Sequence, residues 1–149
     1  MDKNTIALFG SKKSDNWQTP KGLYNELDYE FKFDDDPCPL NPTVDGLSRD
    51  WGKRCFVNPP YSKVKEFLKK AWNEIAKGNT DVAVFLTFSN TDTKWFHTYL
   101  YGIAELRFIR GKLKFLNKEG LEQSSAMRPS MIAVLTKAKV HKLWKKDLE

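Results

Sequence analysis

Asn58-Pro59-Pro60-Tyr61 is the stretch whose residue types and spacing could do chemistry. Asn58 offers a side-chain carbonyl acceptor. The Pro59 carbonyl precedes a second proline, in a rigid, extended segment with no regular helix or sheet partner to engage it. Two neighbouring acceptors suit the two hydrogens of an exocyclic –NH2 group and draw its lone pair out of conjugation. That prepares a planar amine to attack an electrophilic methyl group. Tyr61 adds an aromatic face on which an extruded base could stack. The plainer alternative is a turn, since Asn-Pro commonly starts one.

Several elements must position that tetrapeptide. The apolar run 55–57 reads as a strand that stops at Asn58, and the carboxyl end of a strand is where open α/β sheets bind ligands. Past Tyr61, Val64, Phe67, Leu68, Ala71, Trp72, Ile75 and Ala76 recur at helical spacing, with Gly78 as the stop. Lys63, Lys65, Lys69, Lys70 and Lys77 mark the opposite face as solvated, with phosphate contact as a second reading. Residues 81–88 form a continuous apolar strand of the buried, parallel-sheet kind, followed by a polar loop over 89–93 and a short helix over about 93–100. Strands are expected at 104–109 and 131–135, with a basic and apolar alternation at 110–115 like a half-exposed hairpin arm. A basic tail runs over 137–146. The order predicts an α/β fold, a sheet with helices on its faces.

Upstream, residues 1–14 read as a flexible polar segment and 15–146 as one domain. Thr19-Pro20 predicts a helix over about 20–29, with Thr19 as its N-cap and Pro20 in the first helical position. Trp17 either anchors that helix entry or lines a ligand pocket. Phe31-Lys32-Phe33-Asp34 alternates like a strand and runs into Asp35-Asp36-Pro37-Cys38. Adjacent aspartates are costly unless they meet a cation, donors or solvent. The end of a first strand is where a nucleotide-like cofactor sits, yet no Gly-x-Gly-x-x-Gly follows it here. A solvated acidic turn therefore stays open beside the cofactor reading. Calcium or magnesium fits less well, because the spacing is not that of an EF-hand loop. Residues 43–54 read as a connecting loop.

Composition bounds the classes. A chain of 149 residues, 40% hydrophobic and 30% charged, is an ordinary globular domain. A net charge of +6 favours a polyanionic partner. Two cysteines fit a reducing cytoplasm better than a disulfide scaffold. No apolar run has membrane-spanning length and no signal peptide opens the chain, so no membrane partner is expected. His97 and His141 are isolated and no Cys-x-x-Cys occurs, so no metal site is expected.

Taken together, Asp15-Asn16-Trp17-Gln18-Thr19-Pro20, the run 33–38 ending in Asp-Pro-Cys, Asp45-Gly46-Leu47 with Trp51, and Asn58-Pro59-Pro60-Tyr61-Ser62 resemble the phage-type DNA N6-adenine methyltransferases, the Dam family of phages and prophages. Arg110-Gly111-Lys112-Leu113-Lys114-Phe115 and Arg128-Pro129-Ser130 extend the resemblance, which covers roughly 15–135 in the family's order. It implies a compact Rossmann-like class I methyltransferase fold, with a mostly parallel sheet and helices on both faces. It implies S-adenosylmethionine as cofactor and double-stranded DNA with a flipped adenine as partner. Asn58, Pro59, Pro60 and Tyr61 would be catalytic. Asp36, Pro37 and Cys38 would hold the methionine and sulfonium part of the cofactor, Trp17, Thr19 and Pro20 would close the same pocket, and Asp45 would meet the ribose. The chain departs from the wider superfamily in lacking a Gly-rich first loop. Arg110, Lys112, Lys114 and Arg128 are the candidates for DNA phosphates or a groove.

Two rivals remain at this level. One is another Asn-Pro-Pro-Tyr methyltransferase acting on RNA or on a protein glutamine amide, whose –NH2 is chemically similar. The other is a catalytically silent DNA-binding module that keeps the fold.

Overall fold

The computed structural model describes residues 18–116, 119–121 and 128–146, the last three of them by backbone alone. Trp17 and the segment 1–14 lie outside the described residues.

The central strand is the apolar run Val-Ala-Val-Phe-Leu-Thr-Phe, and it forms β2 (Val82–Phe88), buried at all but its last residue. β1 (Arg54–Val57) lies parallel to it, in register from Arg54↔Val82 to Val57↔Phe85. Parallel neighbours need a crossover. Here it is α2 (Val64–Lys77), whose buried Val64, Phe67, Leu68, Ala71 and Ile75 are the predicted helical stripe. Gly78, at φ 86°, ends the helix by donating its N–H to Ile75 O at 3.1 Å.

β3 (Glu105–Phe108) and β4 (Ser130–Thr136) complete a four-stranded sheet in the order β1-β2-β4-β3. β4 is antiparallel to both of its neighbours. The expected mostly parallel sheet is thereby corrected: one ladder is parallel and two are antiparallel. β3 reaches β4 through a connection with no crossover helix among its described residues, so β4 returns alongside it reversed. β1, β2 and β3 nonetheless run the same way, and Asp35 adds a parallel bridge to Cys55 at the outer edge of β1.

Strand alternation sends Val57, Phe85, Met131 and Ala133 to one face, under α2 and α3 (Lys137–Lys146). Phe56, Val84, Leu86 and Ile132 go to the other face, under α1 (Lys21–Phe31). Phe85 is fully buried, and truncating such a side chain to alanine costs about 3–5 kcal/mol. α3 was expected only as a basic tail. It is a helix because Val140 is spaced to bury against the sheet, and Lys137 N–H closes on Asp81 O at 2.8 Å.

Local differences have local causes. Pro20, not Thr19, is the residue capping α1, and its carbonyl accepts from Tyr24 N–H at 3.1 Å. The strand expected from Phe31 does not form: α1 runs through Phe31, Lys32 turns into the left-handed region at φ 54°, and only Asp35 bridges to β1. The helix expected near 93–100 forms over 94–100, but across Phe96–Leu100 it is of the wide π kind, in which Tyr101 N–H reaches Phe96 O at 2.8 Å. Residues 110–115 form no strand; instead Leu116 and Gln18 exchange backbone hydrogen bonds at 2.9 and 3.0 Å. Among the described residues, no helix is long and apolar enough to cross a membrane.

Candidate active site

The three aspartates at the edge of β1 have three different fates. Asp34 accepts from the backbone N–H of Arg54 at 2.9 Å and of Lys53 at 3.3 Å. Asp35 takes a two-pronged bond from Arg49 at 2.8 and 2.9 Å and the Gly52 N–H at 2.8 Å. Burial would raise the Asp35 pKa, but these donors outweigh it and hold the carboxyl below its usual range. Asp36 accepts from the Cys38 N–H at 3.0 Å. Burial, reinforced by repulsion from Asp35, pushes Asp36 up to about 6. A carboxylate so uncomfortable alone is suited to a cationic ligand.

The loop 36–52 is held against Asp36 by close packing. A Cβ on Gly46 would lie 1.8 Å from Pro37 O, so only glycine fits there. Trp51, buried against Phe67, donates its indole N–H to Gly46 O at 2.7 Å. Trp51 N–H in turn donates to Glu74 at 3.2 Å, and Glu74 is fully buried with Lys70 at 2.6 Å and Asn79 at 2.7 Å as further donors. Helix α2 thus sets the position of Pro37 through Trp51 and Gly46. Cys55, whose thiol burial pushes up to about 12, is packing and not a nucleophile.

A cavity of about 660 Å³ opens between this loop, the start of α1 and the end of β1. Its lining brings together Thr19, Asp36, Pro37, Cys38, Asp45, Asn58 and Pro60. Sequence positions spread over forty residues converge there because β1 carries Asn58 to the edge at which Asp36 and the α1 entry also end. Pro20, Pro59 and Tyr61 are not in the lining. Lys21, Tyr24, Lys63 and Phe67 are, and sequence reading placed none of them in a ligand pocket. For Lys63 a signal existed, its place two residues after Tyr61.

Asn58 Nδ2 donates to Thr19 Oγ1 at 3.1 Å, which fixes the amide plane and explains why Thr19 does not cap α1. Tyr61 stands on another side of the turn, its ring 6.0 Å from that of Phe88. The Arg128 guanidinium lies 5.0 Å from the Tyr61 ring centroid. Arg110, Lys112 and Lys114 are exposed and line no part of the cavity.

Residues 9–145 match the family described as DNA N-6-adenine-methyltransferase (Dam). The chain belongs to this family. Its members' reaction is transfer of a methyl group to N6 of adenine in DNA, and a methyltransferase family implies S-adenosylmethionine as donor. The chain is 30% identical over 141 residues to a DNA N-6-adenine-methyltransferase of Haemophilus phage HP1 (strain HP1c1). That similarity covers 83% of this chain and 81% of the relative. No solved structure matches the chain.

Proposed function

We propose that the cavity beside Asn58 binds S-adenosylmethionine and that the Tyr61 side of the same turn receives an adenine extruded from double-stranded DNA. The observation that carries this reading is the place of Asn58. It lines the cavity that holds Asp36, while Tyr61, three residues on, faces Phe88 and Arg128 outside it. Cofactor and acceptor sides therefore meet at one amide.

The lining fits the cofactor. Its volume is that of a small-ligand site. Asp36 supplies the negative charge an ammonium and a sulfonium call for, Asp45 suits a ribose diol, and Phe67 and Tyr24 offer apolar walls. When bound, the cofactor supplies an electrophilic methyl group. The protein's own part is positioning and electrostatics. Thr19 holds the Asn58 amide, and Asn58 and the Pro59 carbonyl accept the two hydrogens of the adenine amine. Tyr61 stacks on the base. Arg110, Lys112 and Lys114 hold the DNA backbone, and Arg128 meets the DNA from its place over the Tyr61 ring.

The arrangement of β1, β2 and β3 in one direction, with helices on both faces, supports a Rossmann-like class I methyltransferase fold in which β4 is the reversed strand. Carboxyl ends of such strands are where ligands bind.

Labelled S-adenosylmethionine incubated with duplex DNA, RNA or protein extract tests the substrate. Label is expected in DNA adenine alone, and label in RNA or protein glutamine would overturn the acceptor. Asn58→Ala should lower turnover by about a hundredfold, as loss of a preorganised polar contact does. It should leave the cofactor-induced rise in Tm in place. Normal turnover in a folded Asn58→Ala protein would reduce the motif to a turn.

A further inference from the structure

The Tyr61 side of the turn carries polar groups that the cofactor cavity does not use. Among the described residues, the buried side-chain polar atoms without a hydrogen-bond partner are Thr87 Oγ1, Ser89 Oγ, Asn90 Nδ2 and Ser130 Oγ. All four sit where the end of β2 meets the start of β4. Phe88 and Ser130 are direct partners across that ladder, and Ser89 N–H extends it to Pro129 O at 2.9 Å. Directly opposed residues share a face of the sheet. Ser130 therefore stands on the face of Phe88, whose ring neighbours Tyr61. Asn90 lies two residues past the end of β2, in the tight turn that Thr91 N–H closes on Ser89 O at 3.0 Å. None of the four lines the cavity of Asp36 and Thr19.

A buried polar group left unpaired keeps the full cost of its desolvation. Native proteins leave few of them, and a cluster calls for an explanation. Here Ser130 shares the face of the Phe88–Tyr61 ring pair, and a heteroaromatic ring with lone pairs is the ligand that satisfies both. The amine contacts at Asn58 cannot by themselves choose adenine, because cytosine carries the same –NH2. Beside that amine on the major-groove edge, adenine presents the N7 acceptor, which cytosine lacks. A donor aimed at N7 is what separates the two.

We propose that Asn90 Nδ2, assisted by the Ser130 hydroxyl, donates to N7 of the extruded adenine and so restricts the methyl acceptor to adenine. This rests on the reading of the Asn58–Tyr61 turn as the acceptor site. The test copies one plasmid segment with either ordinary dATP or 7-deaza-dATP and measures kcat/KM for each DNA. Wild type should lose about tenfold on the 7-deaza copy, as expected for one hydrogen bond to a base edge. Asn90→Ala and the isosteric Asn90→Asp should lose a similar factor on ordinary DNA and little more on the 7-deaza copy. Ser130→Ala should show the same coupling, more weakly. A retained cofactor-induced Tm shift checks that each variant is folded, and if Asn90→Ala is not, Asn90→Asp decides. Losses that simply multiply would mean that N7 is read elsewhere, such as in the groove, and would overturn the proposal. So would equal wild-type rates on the two copies. Failure of wild type to methylate ordinary DNA is a different result, and it would sink the reading of the acceptor site itself.

Discussion

The Asn58 amide nitrogen and the Thr19 hydroxyl meet at 3.1 Å across 39 positions of sequence. The bond ties the turn after β1 to the entry of α1, so the proposed amine-holding group is oriented by a residue from another wall of the cavity. Orientation of this kind matters most where charge changes during reaction.

Thr19→Val keeps the shape of the side chain and removes its acceptor. Turnover should fall by about tenfold or more, the scale on which a mispositioned reacting group slows a step. Thr19→Ser should restore it. The cofactor-induced Tm shift should survive in both, since Asp36 is untouched. Equal turnover in the valine and serine variants would show that the bond positions nothing.

Asp36 predicts a pH dependence of cofactor binding. Its carboxyl titrates near 6 in the ligand-free fold, against 3.8 for an unperturbed aspartate. The folded state therefore keeps a proton that the unfolded state has released. This contribution to stability is full below about 4 and is lost as pH rises through about 6. Cofactor binding has the opposite sign, because a cation favours the ionised carboxyl. From pH 5 to pH 7 the ligand-free Tm should drift down while the Tm rise given by S-adenosylmethionine grows. Asp36→Asn should flatten both trends and weaken binding at pH 7. A thermal shift independent of pH in wild type would remove Asp36 from the cofactor.

Gly46→Ala tests the packing of the loop. Its new Cβ would overlap Pro37 O, and such overpacking costs about 1–3 kcal/mol. Because Pro37 follows Asp36, the variant should bind cofactor more weakly as well as melt earlier. A lower Tm with unchanged cofactor affinity would show that the clash is relieved on the Gly46 side alone.

Much of this was readable from local pattern. β1, β2 and α2 are short-range features, apolar runs and a helical stripe, and they fall within a residue or two of their expected places. The direction of β4 was not, because strand order is decided by which edges are free and not by periodicity. The lysines of 137–146 hid a helix whose fully buried Val140 needs the sheet to explain it. The acidic run could be flagged but not sorted, since Arg49 and Gly52, which neutralise Asp35, lie 14 and 17 positions away. Thr19 looked like a cap because its competing partner is distant in sequence. Asn90 carries no sequence signal, and Ser130 only its place in Arg128-Pro129-Ser130: an unpaired hydroxyl or amide is a property of the packed structure.

The DNA side yields the last prediction, because the four candidate cations differ in setting. Arg110, Lys112 and Lys114 are exposed, whereas Arg128 is half-buried over the Tyr61 ring. If the exposed three neutralise phosphates, each alanine substitution should lower the slope of log affinity against log salt by about one. Tyr61→Ala should weaken productive DNA binding by about 1–3 kcal/mol, the worth of one base–aromatic stack, while Tyr61→Phe keeps most activity. Arg128 should behave differently from its neighbours, since the ring that carries it is the ring the base would use. Arg128→Ala and Tyr61→Ala should therefore be non-additive in kcat/KM, whereas Lys112→Ala and Tyr61→Ala should simply multiply. If Arg128→Ala multiplied with Tyr61→Ala as well, the guanidinium would be an independent phosphate contact, and its position over the ring would have no part in admitting the base.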